Sequence, residues 1–319
     1  MELAAGDDPN ILGWIQLPDF NGSFRLSPPH LFNAVASTSI KSAKESWNEV
    51  SPSTKLSWRA SDDLLIYAGV SSGFKSGGFN NSDEAASLQY FELLAKQSNI
   101  RVLKYPGAFN YSAINNFGVK EAKGELVGLI NNDIEVIEPS WLRYMVGHAV
   151  REDIGCVGAK LLYSDERVQH AGVVLGYGGG AGHAHKYFPR AHTGYLNRLV
   201  ATSNYSAVTA ACLLLKRSHF EAVGGFNEQD LAVAFNDVDL CLKVQELGVR
   251  NVYCAEAELY HHESVSRGSD LTPEKAIRFR NELAYLQKTW SHVIKRDPCY
   301  SENLTLRREN FAIKEQSEF

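Results

Sequence analysis

Long apolar runs are missing from this 319-residue chain. The best one, Val208 to Leu215, falls far short of the roughly 20 residues that span a bilayer as a helix. The first ten residues carry Asp7 and Asp8 and no basic cluster, so a secretory leader is not expected. Cysteine is sparse. Cys156, Cys212, Cys241, Cys254 and Cys299 are scattered, odd in number, and never spaced as C-x-x-C. That excludes a zinc finger or a disulfide scaffold and makes reduced thiols in the cytoplasm the expectation. Excess positive charge is absent too. A formal net charge of −5 excludes a nucleic-acid-wrapping surface, so an acidic substrate would need a local positive site or a bound cation. With 44% hydrophobic and 22% charged residues, the composition is that of a globular rather than a disordered protein.

The pattern changes near residue 80. Before it, Ser, Asn, Gly and Pro are frequent. Leu56, Trp58 and Ala60 alternate with polar neighbours, Ser61-Asp62-Asp63 reads as a turn, and Leu64 to Val70 reads as a second strand. This predicts one β-hairpin, which needs a larger sheet to be stable. After residue 80, helix and strand patterns alternate. Helices are expected at Ala85 to Lys96 (capped by Ser82 or Asp83), Asn110 to Lys123 and Pro139 to Val150. Strands are expected at Ile100 to Lys104, Glu125 to Ile130 and Ile154 to Lys160. The order predicts an α/β domain with a largely parallel sheet, whose ligands bind beyond the carboxyl ends of the strands. The expected division is an atypical segment over 1–80 and an α/β domain over 81–319.

Three clusters could carry chemistry. The buried strand ending at Ile130 runs into Asn131-Asn132-Asp133-Ile134-Glu135, whose oxygen ligands suit a hard divalent cation such as Mg²⁺ or Mn²⁺. The same residues also suit a plain turn with Asp133 as a helix cap. In Phe235-Asn236-Asp237-Val238-Asp239, both carboxylates fall in the first turn of a helix. The dipole favours them there without any catalytic role, yet one within reach of a substrate hydroxyl could act as a general base. Tyr260-His261-His262-Glu263-Ser264-Val265-Ser266-Arg267-Gly268 could bind a metal or a phosphate, or be a solvated loop. It lacks the second histidine of H-E-x-x-H, which excludes zinc-protease chemistry. Gly176 to Ala181 fits G-x-G-x-x-A, but no helix pattern opens after it, so a dinucleotide fingerprint is rejected. His183-x-His185 lacks a third ligand at suitable spacing and reads as a flexible loop.

With these residues in view, the region from about Ser82 to Phe311 resembles the family 2 glycosyltransferases of the GT-A fold. Phe109 to Asn116 resembles that family's F-N-x-S-x-x-N-N segment, and Leu129 to Glu135 its variant of D-x-D. Gly224-Gly225-Phe226-Asn227-Glu228 and Phe235 to Asp239 resemble its G-G-F-D-E and E-D region. His261 to Gly268 is similar to its H-H-x-x-S-x-R-G tail, and Asp297 to Phe311 to the end of such units. The resemblance implies a mixed, mostly parallel sheet flanked by helices. It also implies an inverting transfer of a sugar from a nucleotide-diphosphate-sugar to a carbohydrate hydroxyl, in surface polysaccharide synthesis. By the same resemblance Asp133 would hold Mg²⁺ or Mn²⁺ against the diphosphate, with His262 at the same metal. Asn131, Asn132 and Arg267 would contact the donor's phosphates. Asp237 would be the general base, and Gly225, Phe226 and Asn236 would line the acceptor side. Asp237-Val238-Asp239 is itself a literal D-x-D, so the metal and base sites could be exchanged. A glycoside hydrolase using two carboxylates is the other enzymatic reading.

Upstream, the chain departs from that pattern. Phe79 stands where the family has an aspartate, and no P-x-Y-N first strand precedes it, so the domain is expected to lack its first strands. Residues 46–80, with Gly73-Phe74-Lys75-Ser76-Gly77-Gly78-Phe79-Asn80, instead resemble a hairpin of TonB-dependent outer-membrane receptors. Three functions therefore stand as expectations: the transferase, an inactive remnant of one, and a receptor fragment. The expected location is the cytoplasm, with at most peripheral contact at the inner membrane. The expected partners are donor and acceptor sugars, with no nucleic acid, and oligomeric state is left open.

Overall fold

The computed structural model describes residues 12–15, 53–61, 64–71, 100–103, 105–131, 133–262 and 273–318. The strands are β1 (Leu12–Ile15), β2 (Ser53–Ser61), β3 (Leu64–Ser71), β4 (Ile100–Leu103), β5 (Leu126–Asn131), β6 (Ile134–Val136), β7 (Ile154–Leu162), β8 (Val168–His170), β9 (Val173–Leu175), β10 (Ala181–His183), β11 (Ser203–Asn204), β12 (Cys212–Lys216) and β13 (Arg250–His261). The helices are α1 (Tyr111–Lys120), α2 (Trp141–Ala149), α3 (Arg217–Ala222), α4 (Asn236–Gln245), α5 (Pro273–Thr289) and α6 (Ser291–Lys295). The expected helix at 85–96 lies outside the described residues.

One large sheet runs in the order β11-β13-β7-β12-β5-β3-β2, with β6 paired to β13 and β8 to β7. It is mixed and flanked by helices, the α/β architecture expected. Its parallel part is smaller than the helix–strand alternation implied. Among the described strands only β7–β13 and β3–β5 run parallel, because β12 enters antiparallel between β5 and β7. Two further expectations are corrected. Residues 64–71 do not leave the sheet without a strand beside β5: β3 pairs with β5 from Leu64↔Leu126 to Gly69↔Asn131, and β2 with β3. The strand at 100–103 is not in this sheet and pairs antiparallel with β1 instead.

The strands feed two cores because successive side chains point to opposite faces. Cys212 and Leu214 pack with Trp141, Leu142 and Met145 of α2 on one face. Leu213 and Leu215 pack with Val238, Leu242 and Val244 of α4 on the other. Val252 and Cys254 divide from Tyr253 and Ala255 in the same way. Helix α1 begins at Asn110, whose side chain accepts from the Ala113 N–H at 2.9 Å and so fills one of the four open donors of a helix start. The G-x-G-x-x-A segment forms the turn of a β9–β10 hairpin, with Gly176 at φ 96°. No helix longer than one turn follows it. No described helix is long and apolar enough to cross a membrane.

Candidate active site

Strand β5 delivers Asn131 to the carboxyl end of the sheet, and β6 then returns antiparallel to β13 with Ile134 opposite His261. This register sets Asp133 beside His261, with Asp133 Oδ1 and His261 Nε2 3.1 Å apart. Gln169 Oε1 lies 2.6 Å from His261 Nδ1. That oxygen can only accept, so Nδ1 carries the ring proton of a neutral His261. The Nε2 lone pair lies 3.2 Å from Asn131 Nδ2 and faces a carboxylate oxygen 3.1 Å away, and it can serve either that N–H or a cation. Two electron-rich atoms this close need a proton or a cation between them. Ligands at right angles on one divalent ion, each about 2.1 Å from it, stand about 3 Å apart, which matches this spacing. Asn131 Oδ1 is buried with no hydrogen-bond partner among the described residues, and so offers a further oxygen. This donor set fits Mg²⁺ or Mn²⁺.

The segment Thr209–Ala211, just before β12, joins this corner to a second one. Ala211 O accepts from the Asn131 N–H at 2.8 Å. The Ala210 N–H donates to Asp237 Oδ2 at 3.1 Å, and the Val238 N–H to Asp237 Oδ1 at 2.9 Å. Burial raises the Asp237 pKa, against the opposing pull of these N–H groups and of the Thr209 hydroxyl. Asp237, Asn131, His261, Asn236 and Phe235 share the wall of one cavity of about 340 Å³. Phe235 holds an αL backbone, φ 58°, which is unusual for a bulky residue. Its ring meets Phe279 of α5, centroids 5.3 Å apart.

The carboxylates of the 237–239 pair separate clearly. Asp239 is 1% exposed, pairs with Lys243 Nζ at 2.9 Å and accepts from Trp290 Nε1 at 2.9 Å. It ties α4 to the residue before α6 and does not face the cavity.

The expected site residues do not all converge. His262 turns away from Asp133: its ring lies 2.8 Å from Glu135 Oε2 and 2.8 Å from Ser164 Oγ. Its neighbour His261 takes the place beside Asp133, since adjacent residues at a strand end face opposite ways. Gly225 and Phe226 are buried away from the cavity wall. Asn116 of α1 brackets them, accepting from the Phe226 N–H and donating to Phe226 O, both at 2.9 Å. Asn236 does line the cavity, and donates to Val233 O at 3.0 Å. Asn132 and Arg267 lie outside the described residues. Sequence reasoning passed over Gln169, which contacts His261, and His170, and it read His183-x-His185 as a flexible loop, whereas His183 ends β10 and His185 is buried. The only signal was the pair of short histidine-bearing apolar segments on either side of the glycine turn.

A different trio, His148, Cys254 and Glu256, brings its ligand atoms within 4.8 Å of one another. None of the three lines the cavity, and burial pushes the Cys254 thiol up to about 12.

No protein-family model matches the chain. Protein y4gI of Sinorhizobium fredii is 53% identical over 235 residues, 73% of this chain and 26% of that protein. The O-antigen biosynthesis protein RfbC of Myxococcus xanthus is 39% identical over 246 residues, 74% of this chain and 18% of its own length. An N-acetylglucosaminyl-diphospho-decaprenol L-rhamnosyltransferase of Mycobacterium tuberculosis is 34% identical over 79 residues, 25% of each chain. A mannosyltransferase of Pyrobaculum calidifontis, solved with GDP-Man and Mn²⁺, superposes with a TM-score of 0.41 at 14% identity, over 69% of this chain and 54% of that one. The chain thus spans about a quarter or less of the curated relatives it matches, and two of those carry names from bacterial glycan assembly.

Proposed function

We propose that this chain carries a glycosyltransferase site of the family 2 type, transferring a sugar from a nucleotide-diphosphate-sugar to a carbohydrate hydroxyl in surface polysaccharide synthesis. One observation carries the reading. A single cavity is lined by a buried carboxylate of raised pKa, Asp237, and by His261, whose pairing with Asp133 has the spacing and donor types of a divalent-cation site. The names of RfbC and of the rhamnosyltransferase support it.

In this reading Asp237 takes the proton of the acceptor hydroxyl, whose oxygen forms the new bond to the anomeric carbon from the face opposite the leaving group. The bond from that carbon to the diphosphate oxygen breaks, its electron pair leaves with the nucleoside diphosphate, and the configuration inverts. Asp133 and His261 would hold Mg²⁺ or Mn²⁺, which supplies charge neutralisation for the leaving diphosphate. Asn131 would add a ligand or orient the phosphates. A receptor fragment is the less supported reading, because β3 is built into the α/β sheet.

Thermal unfolding with a panel of nucleoside diphosphates, with Mn²⁺ or with a chelator, tests the site. At least one nucleotide is expected to raise the unfolding midpoint with Mn²⁺ only, and Asp133→Ala is expected to abolish the rise. A folded native chain that responds to no nucleotide in the presence of metal would overturn the reading in favour of an inactive remnant.

A further inference from the structure

The cavity that would receive a diphosphate has no lysine or arginine among its described lining residues, so the donors described there are neutral. Most are already committed within the protein. Tyr111 donates to Ala210 O, Asn236 to Val233 O, and Gln169 to His261 O. His183 differs.

Its state is set by its neighbour. The Gly172 and Thr209 N–H groups both point at His170 Nε2, at 3.3 and 3.4 Å. Backbone N–H groups can only donate, so His170 Nε2 is the acceptor nitrogen and a neutral His170 carries its proton on Nδ1. That Nδ1–H lies 2.8 Å from His183 Nδ1, which must therefore accept. The proton of a neutral His183 is then on Nε2. Burial holds both rings neutral, pushing His183 down to about 4 and His170 well below the usual range. No described residue accepts from His183 Nε2, and the ring lines the cavity.

The pair also sits at the cation end of the cavity. His170 directly follows Gln169, which contacts His261.

We infer that His183 Nε2–H is a binding group for a phosphate oxygen of the donor's diphosphate, and that His170 is a positioning residue that fixes its tautomer. The inference rests on the transferase reading above and names a contact within it. The pair would thus do with an oriented neutral dipole what a cationic side chain does elsewhere: place a hydrogen-bond donor where negative charge develops.

Nitrogen-15 histidine spectra of the full chain test this, with Mg²⁺ and inorganic pyrophosphate as the probe. His183 is expected to show the Nε2–H tautomer and His170 the Nδ1–H tautomer, with His183 Nε2 shifting as Mg²⁺–pyrophosphate is added. His183→Phe is expected to weaken pyrophosphate binding about tenfold or more, the worth of one hydrogen bond to a charged group. His183→Gln keeps an N–H donor and should lose less than about threefold. His170→Phe should release the His183 tautomer to a mixture. The opposite tautomer at His183, or unchanged pyrophosphate affinity in a folded His183→Phe chain, would overturn the inference. If Asp133→Ala loses binding while His183→Phe keeps it, this contact fails and the transferase reading stands. If the native chain binds neither pyrophosphate nor any nucleoside diphosphate with metal, both fail.

Discussion

At the residue scale, Asp237 gives the sharpest test. Its carboxyl is raised by burial although three backbone N–H groups and the Thr209 hydroxyl favour its charge. A raised carboxyl binds its proton more tightly in the folded state, so the unfolded chain releases that proton first as pH rises. Stability from this group is full below the ordinary aspartate value of about 3.9 and is lost as pH climbs through the raised folded value. Asp237→Asn cannot ionise. Calorimetry across pH should therefore show the native unfolding midpoint declining, relative to the variant, from about pH 4 toward neutrality. A parallel pair of curves would mean that Asp237 is not desolvated in solution. Transfer activity should drop about 10²- to 10⁴-fold in the variant, the usual worth of a general base, and the acid limb of the native rate profile should lie above the ordinary carboxylate range.

At the scale of elements, the polar residues of the 109–116 and 224–228 motifs act first as fasteners. Asn110 Nδ2 donates to Glu228 O at 2.8 Å, Ser112 Oγ to Leu231 O at 2.5 Å, and Asn116 Nδ2 to Glu228 Oε1 at 2.7 Å as well as to Phe226 O. Gly225 has φ +70°, and a Cβ there would lie 2.5 Å from Asn116 Oδ1, so glycine is required for this bracket. These bonds pin the loop that leads into α4, and with it Asp237. Asn116→Ala would strand the buried Phe226 N–H and C=O at about 1–3 kcal/mol each. Chemical unfolding should show a loss of about 2–6 kcal/mol, with Asp133-dependent nucleotide binding retained. A loss below about 0.5 kcal/mol would mean that α1 does not hold the loop.

The same bracket shows what the sequence could and could not disclose. Strongly periodic segments were legible: β5, β7 and α2 lie where alternation and helical spacing put them, within a residue or two at most ends. Asp237 and Asp239 were legible as helix-start carboxylates, but only packing against Trp290 and Lys243 shows that Asp239 is structural. His261 and His262 were legible as a pair, while the choice between them depends on the β6–β13 register, a long-range fact. The insertion of β12 antiparallel between β5 and β7 leaves no local trace, so the parallel share of the sheet was overestimated. The 170–183 histidine pair was invisible for the same reason, because its partners are assembled across a hairpin.

At the scale of the whole molecule, the question is how the first 80 residues relate to the rest. Strand β3 lies between β2 and β5, and its parallel register runs on to Gly69↔Asn131, so it ends beside a residue of the cavity wall. A strand with neighbours on both sides uses each backbone N–H in one ladder or the other, and proline within it removes a bond that nothing else replaces. Without β3, the β5 edge toward Asn131 would present unpaired backbone groups, an invitation to aggregation. Ile66, opposite Gly128 on β5 and Trp58 on β2, is the position to change. Ile66→Pro should lower the unfolding midpoint by several degrees, the reading of about 1–3 kcal/mol for unmade backbone bonds. It should also weaken the metal-dependent nucleotide response, because the cavity wall at Asn131 loses its neighbour. An unchanged midpoint together with an unchanged response would show that the hairpin stands apart from the sheet in solution. The site would then depend only on the chain beyond residue 80.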